Sequence, residues 1–370
     1  MRTLAGRIVQ PDGSIVAGRI AFDATISAIE QSQASPDYIL PGFIDLQVNG
    51  SHGIDVMSAS AEGILEISRH LAREGATAWL PTAVTSLIEH IEKVHRAVGE
   101  AMARQQREER LGARILGMHL EGPFISPMRL GAHPKLNLEP RGEAFERVMA
   151  LEHLKLVTLA PELPGAIEAI HRLTARRVMV SLGHTNATFE EASAGVAAGA
   201  RMFTHLFNAM RPLNHRDPGV IGAALTNDIA VPAVIPDGVH LAPETLRLIY
   251  LMRGARRMLL TTDKVSLAGT GAGTSMPVGR ERARVIDGAA RLPDGTLAGA
   301  IISMLDGARV MIAKAGAGVG EITMMGSMNP ARLLGLNDRG MLQRGAVSDI
   351  IVLSDALELK AVFLAGQELN

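Results

Sequence analysis

Between residues 40 and 265 one pattern recurs: a short apolar run, a polar break, then a longer stretch with apolar residues three and four apart. Short apolar runs bounded by Gly and Pro read as strands, and the longer stretches as helices with one buried face. The pattern predicts strands at 43–49, 76–85, 114–121, 155–160, 177–183, 201–205, 230–236 and 258–263. Intervening stretches such as 61–74 and 87–104 carry helical apolar spacing and strong helix formers. Strands alternating with helices in this number predict an α/β fold, a closed (β/α)8 TIM-like barrel; a doubly wound open sheet is the alternative.

The two ends of the chain read differently. Short β-like runs flank a Pro11-Asp-Gly turn, and another pair at 349–353 and 359–366 closes the sequence. They predict a small β-sandwich-like domain from residues 1–40 plus 341–370, with the barrel at 41–340. Residues at about 267–300 are rich in Gly and Pro and predict an insertion after the eighth strand, at the face where barrel loops build active sites.

Composition narrows the chemistry. The 370 residues are 47% hydrophobic and 20% charged, enough apolar material for a large core. Lys plus Arg number 37 against 38 Asp plus Glu, so no basic footprint points to nucleic acid or anionic lipid. No apolar run is long enough for a membrane span, and the first thirty residues lack a signal-peptide core. Cysteine is absent, which excludes disulfides and thiolate metal sites and suits a cytoplasmic protein. A metal would have to be held by His, Asp and Glu, a donor set suited to zinc or a similar divalent ion.

Polar residues gather at strand ends. Gln47 and Asn49 end the first predicted strand, Glu121 the third, His184 the fifth, His205 the sixth and Asp263 the eighth; His240 follows the seventh. In a barrel these carboxyl ends converge on one mouth. One Glu and two His fill three positions of a tetrahedral zinc site, leaving the fourth for water, whose proton Asp263 is placed to take. Each residue alone has a plainer role: a strand-end His is usually structural, and Glu121 or Asp263 could cap the next turn. The agreement of several strand ends outweighs those readings for His184 and His205. His119 points the way Glu121 does and reads as a supporting or core residue, Asp45 could be a buried structural carboxylate, and His52, His70, His90, His95, His153 and His171 read as surface residues.

With these residues in view, the chain resembles the N-acetylglucosamine-6-phosphate deacetylases of the amidohydrolase superfamily. The matching motifs begin at Pro41-Gly-Phe-Ile-Asp-Leu-Gln-Val-Asn-Gly and end at Asn329-Pro-Ala-Arg. Between them lie His119-Leu-Glu-Gly-Pro-Phe, Gly131-Ala-His-Pro, Leu159-Ala-Pro-Glu, Leu182-Gly-His-Thr, Thr204-His-Leu-Phe-Asn-Ala-Met, Asp237-Gly-Val-His, Thr262-Asp and Leu297-Ala-Gly. The resemblance implies a metal-dependent enzyme that hydrolyses the N-acetyl group of N-acetylglucosamine 6-phosphate. It further implies that Glu121, His184 and His205 bind one divalent ion per subunit, zinc in the first place and iron, cobalt or manganese as alternatives. Asp263 would be the proton acceptor and donor, and His133 would polarise the acetyl carbonyl. Ala132, Asn208, Ala209, Arg216, Asp237, His240 and the run Leu297, Ala298 and Gly299 match positions that hold the sugar phosphate. In the family the Arg reaches the neighbouring subunit's active site, so a homodimer is implied.

Three departures bear on this reading. Many amidohydrolases carry His-x-His and two metals where this chain has Gln47-Val-Asn49, which predicts a mononuclear site. Lys264, directly after Asp263, could lower the aspartate's pKa or contact an anionic substrate group. Ala300 stands where a hydroxyl residue is expected. The last two put the sugar in question more than the reaction, leaving another N-acetylhexosamine phosphate or an unrelated amide as alternative substrates. A non-catalytic sugar-phosphate-binding barrel is the alternative from another class.

Overall fold

The computed structural model describes every residue except 34, 109–111, 272 and 370. Eight parallel strands run in chain order around a barrel: Phe43–Val48, Ala76–Val84, Met118–Glu121, Leu154–Leu159, Met179–Leu182, Met202–Phe203, Val231–Val234 and Leu259–Leu260. The third predicted strand is broken in two, because Gly117 adopts φ 138° and separates Arg114–Ile115 from Met118–Glu121. Regular pairing stops between the eighth strand and the first, and that seam is closed otherwise. Val48 bridges Lys264, whose carbonyl accepts from Asn49 N–H (2.7 Å) and Gly50 N–H (3.0 Å). The buried Asp45 carboxylate accepts from the Thr261 hydroxyl (2.8 Å), the Thr262 hydroxyl (2.5 Å) and Thr262 N–H (3.2 Å). Asp45 is therefore the structural carboxylate that its position on the first strand allowed. A closed barrel replaces the open-sheet alternative.

The barrel interior is layered, as alternation along each strand requires. Ile44, Leu46, Ala78, Leu80, Leu156, Met202, Ala233 and Leu259 form an apolar layer. Above it His119 bonds Leu46 O (3.1 Å) through Nδ1 and Thr158 Oγ1 (2.9 Å) through Nε2, and Thr204 joins Thr158 (2.7 Å) to Ser181 (2.6 Å). Burial holds the His119 pKa down at about 4, so it is a neutral core residue. Two residues further on, one layer higher, stands Glu121.

Outside the barrel, helices bury the stripes that their sequences carry. Ala61–Arg73 starts at Ser60, whose hydroxyl accepts from Gly63 N–H, and buries Ile64, Leu65, Ile67 and Leu71. Phe189–Ala198 starts in a capping box between Thr188 and Glu191.

The two chain ends share one seven-stranded sheet, in the order Gln367–Glu368, Leu359–Leu364, Ile350–Leu353, Tyr38–Pro41, Arg2–Val9, Ile15–Phe22, Ile26–Gln31. It curls on itself: Thr25 bridges Val347, and Phe22 meets Phe363 edge to face at 5.3 Å. Ile8, Ile39, Ile350 and Phe363 fill its own core, while their neighbours Val9, Leu40, Ile351 and Leu364 pack into the core shared with the barrel helices. Burial on both faces explains why the two central strands, Tyr38–Pro41 and Ile350–Leu353, read as apolar runs, while the outer ones carry polar residues.

Residues after the eighth strand form a four-stranded antiparallel sheet, Ser275–Val278, Glu281–Ile286, Ala289–Arg291 and Leu297–Ala300. Its first hairpin touches the 131–134 loop, where Arg280 N–H donates to Ala132 O at 3.0 Å. Gly279 allows this approach, since a Cβ there would lie 2.2 Å from the same oxygen.

Candidate active site

The strand-end residues converge on a cavity of about 530 Å³ at the barrel mouth. Glu121 Oε1 lies 3.0 Å from His205 Nε2 and 3.2 Å from His184 Nε2, and the two imidazole nitrogens are 3.2 Å apart. Ligands at roughly 2.0–2.1 Å from a tetrahedral zinc ion stand about 3.3 Å from one another, so this spacing fits one divalent ion. The chemistry fits as well. His184 Nδ1–H donates to Arg129 O at 2.9 Å, which leaves the Nε2 lone pair facing the cluster. Among the described residues, these three form the one group of His, Asp and Glu donor atoms close enough to hold a metal together.

His133 approaches the other carboxylate oxygen, Nε2 to Glu121 Oε2 at 3.5 Å. Its Nδ1 accepts from the Thr85 hydroxyl (2.8 Å) and from Thr85 N–H (3.4 Å). The ring proton therefore sits on Nε2, aimed into the cavity. Thr85 was not singled out from sequence, although it ends the second predicted strand and the strand-end rule would have found it. Asp263 Oδ1 accepts from Gln47 Nε2 (3.0 Å) and Asn49 Nδ2 (2.7 Å), and the same Gln47 amide donates to Glu121 Oε1 (2.9 Å). Gln47 thus bridges the two carboxylates as a donor, and Asn49 gives Asp263 a second one.

The electrostatics follow from burial and from this single cluster. Burial and the neighbouring Glu121 charge raise the Asp263 carboxyl to about 6. Burial pushes Glu121 the same way, but the imidazoles of His133, His184 and His205 packed against it outweigh burial and hold the group well below the usual carboxylate range. Burial lowers His133, and the nearby His184 adds to that. Two carboxyls in one cavity are thereby driven in opposite directions, the arrangement expected of a ligand beside a base.

Backbone conformation marks the same residues. His184 (φ 48°), His205 (φ 28°), Ala209 (φ 49°) and Asp263 (φ 52°) occupy the left-handed region, which costs a non-glycine residue on the order of 1–3 kcal/mol each. Strain of this kind collects where side-chain placement outweighs stability.

Other expectations divide. Ala132, Asn208, Ala209, His240, Leu297, Ala298 and Gly299 all line the cavity. Asp237 does not line it; its Oδ2 accepts from His240 Nδ1 at 2.6 Å, and two more of its bonds, from Val239 N–H and His240 N–H at 2.8 Å, tie down the loop. Arg216 is exposed on the 211–217 loop and lies outside this chain's cavity. Lys264 corrects the expectation attached to it. Its side chain is almost fully buried, its ammonium pairs with Glu74, and it does not line the cavity, so it neither touches a substrate group nor sets the Asp263 pKa. His90 is no surface residue: it lines the cavity, donating from Nε2 to Met57 O at 2.7 Å. His52 and His70, also expected at the surface, are half-buried and stack at 3.8 Å.

Residues 38–369 match the amidohydrolase family. The N-acetylglucosamine-6-phosphate deacetylase of Bos taurus is 37% identical over 380 residues, covering 98% of this chain and 89% of that protein. The chain belongs to this deacetylase family of amidohydrolases. The N-acetylgalactosamine-6-phosphate deacetylase of Escherichia coli O157:H7 is 35% identical, covering 94% of this chain and 93% of that one. Among solved structures, the N-acetylglucosamine-6-phosphate deacetylase of Thermotoga maritima superposes with a TM-score of 0.93 at 30% identity, covering 99% of both chains. A mutant N-acetyl-D-glucosamine-6-phosphate deacetylase of Mycobacterium smegmatis, in complex with N-acetyl-D-glucosamine 6-phosphate, gives 0.90 at 31% identity, covering 99% of this chain and 98% of that one.

Proposed function

We propose that the protein hydrolyses N-acetylglucosamine 6-phosphate to glucosamine 6-phosphate and acetate, as a metal-dependent amidohydrolase. The observation that carries this reading is the arrangement of Glu121, His184 and His205 around one point, with Asp263 and His133 on either side of it. When bound there, a divalent ion, zinc in the first place, supplies Lewis-acid polarisation and makes water more acidic. Asp263 accepts the proton of the attacking water and returns it to the leaving amine, which microscopic reversibility asks of one group in amide cleavage. Gln47 and Asn49 hold its carboxylate while it does so. His133 Nε2–H donates to the carbonyl oxygen as negative charge grows there, stabilising the transition state more than the ground state.

The sugar phosphate lies along Asn208, Ala209 and His240, with Leu297, Ala298 and Gly299 across from them. Asp237 orients His240 rather than touching substrate. No Lys or Arg of this chain lines the cavity among the described residues, which supports a phosphate contact from Arg216 of a second copy in a homodimer. Helix Pro243–Arg253 supports the dimer, since it turns Leu248, Leu251 and Met252 outward at 46%, 65% and 45% exposure, as does Leu213 beside Arg216 at 45%. The division into a terminal β domain and a barrel near residues 40 and 340 belongs to the same reading. So does a cytoplasmic setting, supported by a reaction on a phosphorylated sugar; no helix among the described residues is long and apolar enough to cross a membrane.

The test is acetate release from N-acetylglucosamine 6-phosphate by metal-loaded protein, with N-acetylgalactosamine 6-phosphate run in parallel. Turnover of the first alone, or faster than the second, is expected. The reverse preference would move the protein to the galactosamine substrate, and turnover of neither would end the reading.

A further inference from the structure

On the side of the barrel mouth that the sugar-phosphate contacts leave unused, two apolar side chains, Met57 and Val84, line the cavity among polar neighbours. In an eight-stranded barrel the second strand stands opposite the sixth. Asn208 and Ala209 follow the sixth strand, so Val84 and Thr85, at the end of the second, face them across the cluster of Glu121, His184 and His205. Met57 completes this far wall. It comes from the segment between the first strand and the first barrel helix, and its Sδ accepts from Val84 N–H at 3.3 Å.

Met57 is held at its N–H, its carbonyl and its sulfur. Its N–H donates to Asp55 Oδ1 at 2.8 Å, and its carbonyl accepts from His90 Nε2–H at 2.7 Å. His90 is fixed in turn, its Nδ1 accepting from the Ser86 hydroxyl at 3.0 Å. Two titratable side chains thus bond the backbone of a single methionine. Next to it, Thr85 holds His133 in the tautomer that points Nε2–H at the reacting carbonyl.

The planar carbonyl carbon of the substrate has three neighbours. With the oxygen toward His133 and the metal-binding cluster, and the nitrogen toward the sugar at Asn208 and His240, the acyl methyl points to Met57 and Val84. This inference rests on the deacetylase reading. We propose that Met57, clamped by Asp55 and His90, is the specificity-determining residue that fixes the size of the acyl group removed. A thioether side chain suits the contact, because the methyl is an apolar end on an otherwise polar substrate. One methylene in an apolar pocket discriminates by roughly 10- to 200-fold.

The experiment compares kcat/KM for N-acetyl-, N-propionyl- and N-butyryl-glucosamine 6-phosphate in wild type, Met57→Ala and Met57→Val, with metal content and melting temperature measured on each. Wild type is expected to lose about tenfold or more per added methylene. Both variants should raise the propionyl-to-acetyl ratio at least about tenfold, with Ala moving it further than Val and the pH profile unchanged. Should Met57→Ala fold poorly, Met57→Val carries the comparison. A ratio within twofold of wild type in a folded, metal-loaded variant overturns the assignment while leaving the deacetylase reading intact. Cleavage of none of the three substrates by wild type removes both.

Discussion

Replacing Asp263 by Asn isolates the proton-transfer role from every other property of the site. The amide keeps the shape of the carboxylate, and its oxygen can still accept from Gln47 Nε2 and Asn49 Nδ2, now 3.0 and 2.7 Å from Asp263 Oδ1. Glu121, His184 and His205 are untouched, so metal affinity should change little. What is lost is a base whose pKa, raised by burial and by Glu121 to about 6, lies where it is ionised at neutral pH yet can still give a proton back. General acid–base groups contribute typically about 10²–10⁴ in rate, and a group serving both steps belongs at the upper end. We expect kcat to fall about 10³–10⁴-fold, or roughly 4–5.5 kcal/mol of barrier. KM should stay within a few-fold. Wild-type activity should fall on acidification as Asp263 takes up its proton, at or below about pH 6 because a nearby cation favours the carboxylate, and this limb should vanish from the residual rate of the variant. Acetate release and metal content per chain, measured on the same preparation, check this. A fully metal-loaded D263N protein turning over within tenfold of wild type would refute the role assigned to Asp263.

Four further outcomes follow from the same coordinates. Glu74→Gln leaves the buried Lys264 ammonium without its counter-charge and should lose about 2–3 kcal/mol by urea unfolding, whereas Lys264→Met should be close to neutral; the opposite order would mean that the pair is not what keeps the lysine tolerable. Burial raises Asp55 from 3.8 to about 6, so the folded chain binds its proton more tightly and this group stabilises less as pH rises through that window; Asp55→Asn should therefore gain up to about 3 kcal/mol at pH 7.5 and nothing near pH 4, read from denaturation midpoints at both. Chelation should abolish turnover and lower the melting temperature, with about one equivalent of zinc per chain restoring both; two tightly held ions would require a ligand beyond the three. Arg216→Ala should raise KM about tenfold or more, and mixing it with D263N chains should restore activity in about a quarter of sites if subunits pair at random, whereas no recovery would place Arg216 outside the partner's site.

The sequence alone determined those features that depend on local order. Period-2 alternation set His119 and Glu121 on one face, and strand endings marked Glu121, His184, His205 and Asp263 before any contact was known. Short strand-like runs separated by polar turns at both ends of the chain announced a shared β module, distinct from the strand–helix repeat between them. The family motifs then supplied the roles proposed for those residues. The tertiary structure alone decided which directions the side chains took once distant segments met. Nothing near Lys264 in sequence foretells that its ammonium turns toward Glu74, nor that Asp237 grips His240, nor that the side chain of Asp45 helps to close the barrel. His90 sits on a helical stretch with ordinary surface spacing, and only packing brings it to the backbone of Met57. A residue's face is set by its own backbone, but its partner is set by chain folded from elsewhere, and only the assembled barrel brings the two together.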